Sequence, residues 1–203
     1  MTEERDFIAA RLAGRAGRFL DVGAYDGVTD SLTRVLFEAG WSGVLVEPDP
    51  RSFLALFANY GPDIPGAERV ELVAAAVLPD AGLARFWICE DQRETSTAAE
   101  RFRDSFARTH GANYRRAHWL HGLTPEALLA AFPGEFRFLN VDAEGFSCEL
   151  FARLLSAGVS GLELACVERD HQRQGLARDA AAAAGLKPVL ETEVNLLFGR
   201  EDG

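Results

Sequence analysis

The sequence predicts an α/β protein built on a mostly parallel sheet. Apolar, strand-like runs alternate with stretches of helical periodicity along nearly the whole chain, which is the pattern of successive βαβ units. A glycine loop, Gly23 to Gly27, follows the first strand-like run, and an acid, Glu47, closes the second. Open α/β sheets bind their ligands at such places, outside the carboxyl ends of the strands.

Each element has a local reason. Residues 3–13 form the first expected helix, with Phe7, Ile8 and Leu12 on one face and Gly14 as the stop. RFLDVG, 18–23, is a short buried strand. Over 30–39, Leu32, Val35, Leu36 and Ala39 recur at helical spacing, with Gly40 past the end. GVLVEP, 43–48, is a strand stopped by Pro48, and 50–59 is a helix carrying Phe53, Leu54, Leu56 and Phe57. VELVAAAV, 70–77, is the third strand, and the PDAG turn, 79–82, leads into ARFWI, 84–88, as a hairpin extension. Later, Thr124 is an N-cap with Pro125 at the first helical position. FRFLNVD, 136–142, is a buried strand, and 147–157 is a helix turning Leu150, Phe151, Leu154 and Leu155 inward. LELACVE, 162–168, is a further strand, an alanine-rich helix covers about 172–184, and short strands near 187–191 and 194–199 follow.

Residues 89–121 break the pattern. They are polar, carry Arg93, Arg101, Arg103, Arg108, Arg115 and Arg116, and hold three of the four histidines. A helix over about 98–109 would turn Phe102 and Phe106 inward. The segment is expected to be an insertion or lid on a single domain, 1–203. Long loops on a rigid scaffold often choose the substrate. Arg115 and Arg116, flanked by Tyr114, His118 and Trp119, are the candidates to grip an anionic group while the rings cover an apolar or sugar face.

Composition narrows the function. Of 203 residues, 48% are hydrophobic and 26% charged, which excludes a disordered chain. Acids outnumber bases 31 to 21, for a net charge of −10, so general binding to nucleic acid is not expected. No apolar run is long enough to span a membrane, and the acidic, amphipathic N-terminus is unlike a signal peptide. Cys89, Cys148 and Cys166 have neither CxxC nor zinc spacing and read as reduced thiols of a cytoplasmic protein. Oligomeric state is open, a homodimer being one option, and the expected partner is a small-molecule substrate.

The loop FLDVGAYDG, 19–27, lacks the GxGxxG of dinucleotide folds and the GK[ST] of a P-loop. Asp21 and Asp26 would repel a pyrophosphate, which also disfavours an NAD-dependent dehydrogenase. A cationic ligand without phosphates fits better, and S-adenosylmethionine is one. Glu47, at the end of the second strand, stands where an acid holds both ribose hydroxyls, through charge-assisted hydrogen bonds.

These residues resemble a known family. FLDVGAYDGVTDSLTRVLFEAGWSGVLVEPDP, 19–50, is similar to the opening of FkbM-type methyltransferases, with Trp41 and Glu47-Pro48 in place. The resemblance continues through VELVAAAV (70–77), DAGLARFWI (80–88), FRFLNVDAEGF (136–146), LELACVE (162–168) and VNLLFG (194–199), so it omits 89–121. It implies a class I, Rossmann-like sheet of seven strands with helices on both faces, S-adenosylmethionine as cofactor, and methyl transfer to a hydroxyl of a small molecule or sugar. Asp21, Gly23 and Gly27 would frame the methionine part of the cofactor, with Ala24, Tyr25 and Asp26 of the same loop also in its binding site. Glu47 would hold the ribose, with Pro48 beside it in the binding site, Ala75 and Ala76 would lie near the adenine, and Asp142 would face the transferable methyl group. Residues 140–147 read Asn-Val-Asp-Ala-Glu-Gly-Phe-Ser, without the lysine and final glutamate of the family pattern, and Tyr25 replaces its asparagine. The alternative is a non-catalytic member that binds the cofactor or a partner.

A hydroxyl nucleophile must lose its proton, and Asp142, Glu144 and His171 are the candidate bases. Asp142, Glu144, Glu168 and Asp170 come from adjacent strand ends and offer oxygen ligands to Mg²⁺. His110, His118 and His121 include an HxxH but lack an obvious fourth ligand for zinc. No metal is expected.

Overall fold

The computed structural model describes residues 2–170 and 172–200. A seven-stranded sheet forms its centre. The strands are β1 (Arg18–Val22), β2 (Ser42–Val46), β3 (Val70–Val73), β7 (Phe138–Val141), β8 (Leu164–Glu168), β9 (Lys187–Glu191) and β10 (Asn195–Gly199). Their order across the sheet is β3-β2-β1-β7-β8-β10-β9. All neighbours are parallel except β10, which runs antiparallel to both β8 and β9.

Helices cover both faces, because the strands are apolar on both. On one side Phe19, Leu45, Phe138 and Leu164 pack with Ile8 of α1 (Thr2–Arg11), Leu36 of α2 (Arg34–Glu38) and Leu56 of α3 (Pro50–Asn59). On the other, Leu20, Val44, Leu139 and Ala165 meet three helices. These are α5 (Pro125–Ala131) through Leu128, α6 (Ser147–Ser156) through Leu150, Phe151 and Leu154, and α7 (Gln174–Ala183) through Ala177 and Ala181. Each fully buried Phe or Leu contributes about 1.5–3 kcal/mol relative to exposure. Among the described residues, no helix is long and apolar enough to cross a membrane.

Three sequence expectations change. The run 70–77 is two strands: after β3 the chain leaves the large sheet, and β4 (Ala76–Val77) pairs with β6 (Arg116–Leu123) instead. β5 (Gly82–Ile88) does not fold back on β4, because β6 lies between them and pairs antiparallel with β5 from Gly82↔Gly122 to Ile88↔Arg116. The end of segment 89–121 is therefore a strand of a second, three-stranded sheet; α4 (Glu100–His110) precedes it. Helix 30–39 shrinks to α2, since Thr33 turns its hydroxyl to Asp21 (2.6 Å) and Ser31 Oγ accepts the Arg34 amide (3.1 Å). Phe102 and Phe106 are half-buried and stack on each other at 5.4 Å.

Candidate functional site

The strand order reverses between β1 and β7, and a cavity of about 380 Å³ opens beyond their carboxyl ends. That size and position suit a small-molecule site. Register sets the floor: Asp21 of β1 lies beside Asn140 of β7, whose Nδ2 donates to Asp21 Oδ1 at 2.9 Å. With the Thr33 hydroxyl on its other oxygen, the buried Asp21 carboxylate has both oxygens occupied. Burial still raises its pKa above the ordinary value, against the pull of those two donors.

Gly23 is required by the neighbouring strand end. Its φ is +90°, and a Cβ there would lie 1.7 Å from the carbonyl oxygen of Asp142. This close approach brings the β1 and β7 loops together and fixes Asp142 beside the glycine loop. Tyr25, a non-glycine with φ of +52°, holds a conformation that costs about 1–3 kcal/mol and is kept only where surroundings enforce it. The enforcing bond is its amide, which donates to Glu47 Oε2 at 2.8 Å. Glu47 Oε1 accepts the Asp49 amide at 2.6 Å. Burial pushes the Glu47 carboxyl up to about 8 despite these two donors.

The far wall is different in kind. Carboxylate oxygens of Asp142, Glu144 and Glu168 lie within 4.8 Å of one another. Glu168 accepts from the Ser147 hydroxyl at 2.7 Å, and that hydroxyl accepts the Ala143 amide at 2.8 Å. Burial first, and the charge of Glu168 second, hold Asp142 well above the usual carboxylate range; burial and the charges of Glu168 and Asp142 do the same for Glu144. Burial also raises Glu168, with the Ser147 hydrogen bond opposing it. Three oxygen donors at this spacing could hold a divalent cation, and they could equally share protons.

The structure gathers most of the sequence candidates on this cavity: Asp21, Gly23, Ala24 and Tyr25 from the first loop, Glu47 and Pro48, Ala75 and Ala76, and Asp142 and Glu144. Asp26 and Gly27 are not on its wall. Asp26 turns into its own loop, where it accepts from the Val28 and Thr29 amides and the Thr29 hydroxyl at 2.7–2.8 Å. The Tyr60 hydroxyl donates to the Gly27 carbonyl at 3.0 Å, and the glycine leaves room for the Tyr60 and Leu56 side chains. The pyrophosphate-repelling role assigned to Asp26 thus has no counterpart in the geometry.

Arg115, Arg116 and Trp119 also lie off the wall. Arg116 and Trp119 stand exposed on β6, with Arg116 3.5 Å from Glu90. Of the zinc candidates, His110 stacks on Phe106 at 4.2 Å, while His118 and His121 are exposed on β6. They form no metal-spaced cluster among the described residues. Asp170 is absent from the carboxylate cluster, its Oδ1 taken by the Gln172 amide at 2.9 Å. His171 falls outside the described residues.

Sequence reasoning missed Asn140 and Thr33 as partners of Asp21, and Arg93, Glu94, Ser96 and Thr97 as wall residues. Asn140 did carry a signal, a lone amide inside the apolar strand FLNV. The others come from the irregular segment after β5, and no spacing in the sequence points from them to the cavity.

No protein-family model matches the chain, and neither does any curated protein. Solved structures do. The methyltransferase FkbM from Methylobacillus flagellatus KT aligns with a TM-score of 0.53 at 13% identity, over 90% of this chain and 43% of its own. The precorrin-6y C5,15-methyltransferase of Geobacter metallireducens GS-15 aligns at 0.52 and 11%, over 98% and 87%. The ribosomal protein L11 methylase of Lactobacillus delbrueckii subsp. bulgaricus aligns at 0.51 and 14%, over 99% and 79%. The chain thus spans less than half of the FkbM structure and most of the other two. What these likenesses share with the strand order is an architecture: this chain has the Rossmann-like fold of class I methyltransferases.

Proposed function

We propose that the protein is an S-adenosylmethionine-dependent methyltransferase of the FkbM type, acting on a hydroxyl of a small molecule in the cytoplasm. The observation that carries this reading is the cavity at the strand-order reversal, with two acids on one wall, Asp21 and Glu47, each held by its own hydrogen-bond donors, and Asp142, Glu144 and Glu168 on the other. The donor set fits the cofactor. Carboxylates suit a sulfonium, an ammonium and a vicinal diol, and the small side chains of Ala75 and Ala76 leave room for a flat ring.

When bound, the cofactor supplies an electrophilic methyl group. Glu47 would accept from the ribose hydroxyls, and Asp21 holds Asn140 and Thr33 in place at the floor. Methyl transfer rests largely on positioning, and the protein's chemical task is to take the proton of the acceptor hydroxyl. Glu144 and Asp142 do this, their carboxyls raised well above the usual carboxylate range by burial and by the charge of Glu168, the direction that suits a proton acceptor. The three cysteines, all free and buried, support a reducing compartment.

Calorimetry with S-adenosylhomocysteine and with NAD tests the reading. Binding of the first alone is expected. Binding of NAD alone, or of neither, would overturn it. A cofactor-binding protein that transfers methyl to none of a broad panel of alcohols and sugars would fit the non-catalytic alternative instead.

A further inference from the structure

Resting on the assignment of the cofactor to the Glu47 wall, we infer that Arg93 is a positioning residue for the cofactor, acting through Asp49 on Glu47. Arg93 belongs to the irregular segment that crosses the cavity after β5. That segment is tied down along its length. Trp87 and Thr97 exchange backbone hydrogen bonds at 2.7 and 2.9 Å. The Thr97 hydroxyl donates to the Glu144 carbonyl at 2.6 Å, and the Tyr114 hydroxyl donates to the Thr95 carbonyl at 2.8 Å. Its backbone is thus anchored beside Glu144, on the acidic wall.

Its link to the opposite wall is Arg93 itself. Nη2 donates to both oxygens of Asp49, at 3.0 and 2.8 Å, and Asp49 is 1% exposed. A carboxylate so deeply buried needs its cation, since removing one partner leaves a charge without compensation. Asp49 in turn caps α3 by accepting the Arg51 amide at 2.9 Å, while its own amide donates to Glu47 Oε1 at 2.6 Å. The chain Arg93–Asp49–Glu47 therefore fixes one of the two backbone donors that orient the Glu47 carboxylate.

A second observation places Arg93 at the cavity. It is the one cationic side chain among the described residues lining the cavity. Its Nε is buried and has no hydrogen-bond partner. Unpaired buried Nε groups also occur at Arg5 and Arg169, away from the cavity, so the place of Arg93 on the wall and its bond to Asp49 carry the argument.

Affinity for S-adenosylhomocysteine, measured well below each variant's unfolding midpoint, tests the inference without any knowledge of the acceptor. Glu47→Gln and Arg93→Ala are each expected to weaken binding tenfold or more. The double variant should bind about as weakly as the weaker single one, because both changes act on the same carboxylate. Arg93→Lys keeps a charge on Asp49 but loses the planar fork, and should fall between Arg93→Ala and the parent. Losses that multiply to about a hundredfold in the double variant would overturn the route through Glu47. If Arg93 variants melt earlier yet bind as the parent does while Glu47→Gln does not, Arg93 is only a staple and the inference is wrong. If Arg93→Ala does not fold, Arg93→Lys decides, and parental affinity in it overturns the inference. Undiminished binding in Glu47→Gln would instead remove the cofactor from this wall, and the inference with it.

Discussion

The two walls of the cavity carry similar numbers of acids and treat them in opposite ways. On the β1–β2 side every buried carboxylate meets donors: on the wall Asp21 has Thr33 and Asn140 and Glu47 has the Tyr25 and Asp49 amides, and behind it Asp49 has Arg93. On the β7–β8 wall, Asp142, Glu144 and Glu168 crowd within 4.8 Å and the Ser147 hydroxyl serves only Glu168. The first arrangement is preorganised to accept hydrogen bonds from a ligand. The second can be kept only by holding protons or taking up positive charge, which is what a group that must capture a proton needs.

The comparison is broken most severely at Glu144. Under the proposed role, Glu144→Gln should cut methyl transfer by roughly 10²–10⁴-fold, the usual contribution of a general base, while S-adenosylhomocysteine affinity stays within about threefold. The rate of the parent should climb with pH above the ordinary carboxylate range, because a base with a raised pKa is protonated below it. Unchanged rates in the variant, or a flat profile in the parent, would move the base elsewhere.

A smaller effect is expected on the opposite wall. Glu47 titrates near 4.5 when unfolded and near 8 when buried, so between those values the folded state holds the extra proton. Its contribution to stability is full below pH 4.5 and is lost as pH rises through about 8. Hydroxyl donors favour the ionised form, so cofactor binding at pH 7 should release a proton. The check is calorimetry in buffers of different ionisation enthalpy. The measured heat should depend on the buffer in the parent and much less so in Glu47→Gln, and equal dependence in both would remove Glu47 from the ribose.

The least effect is expected from chelation. If protons relieve the crowding of Asp142, Glu144 and Glu168, excess EDTA leaves turnover unchanged. Loss of activity restored by Mg²⁺ would make the three carboxylates ligands and cost Glu144 its role as base.

The sequence by itself determined the central sheet. Strand runs such as RFLDV and FLNV are apolar at successive positions, which only a strand covered on both faces tolerates. It also marked Glu47 and Asp142, because a polar residue closing a buried strand must sit at its open end. Gly23 was visible as a turn, but its actual demand, room for the Asp142 carbonyl, belongs to a strand more than a hundred residues away. Asp26 shows the limit from the other side. Its residue type and place in the loop are those of a ligand contact, yet the nearest unmet amides, those of Val28 and Thr29, claimed it first. Only the tertiary structure decided that β6 would enter between β4 and β5, that Arg93 would meet Asp49 across 44 positions, and that Arg115 and Arg116 would lie off the cavity. Local pattern fixes which faces are apolar and where strands stop. The pairing of charges across distant segments depends on which surfaces the packed sheet brings within a few ångströms, and no local pattern encodes that distance.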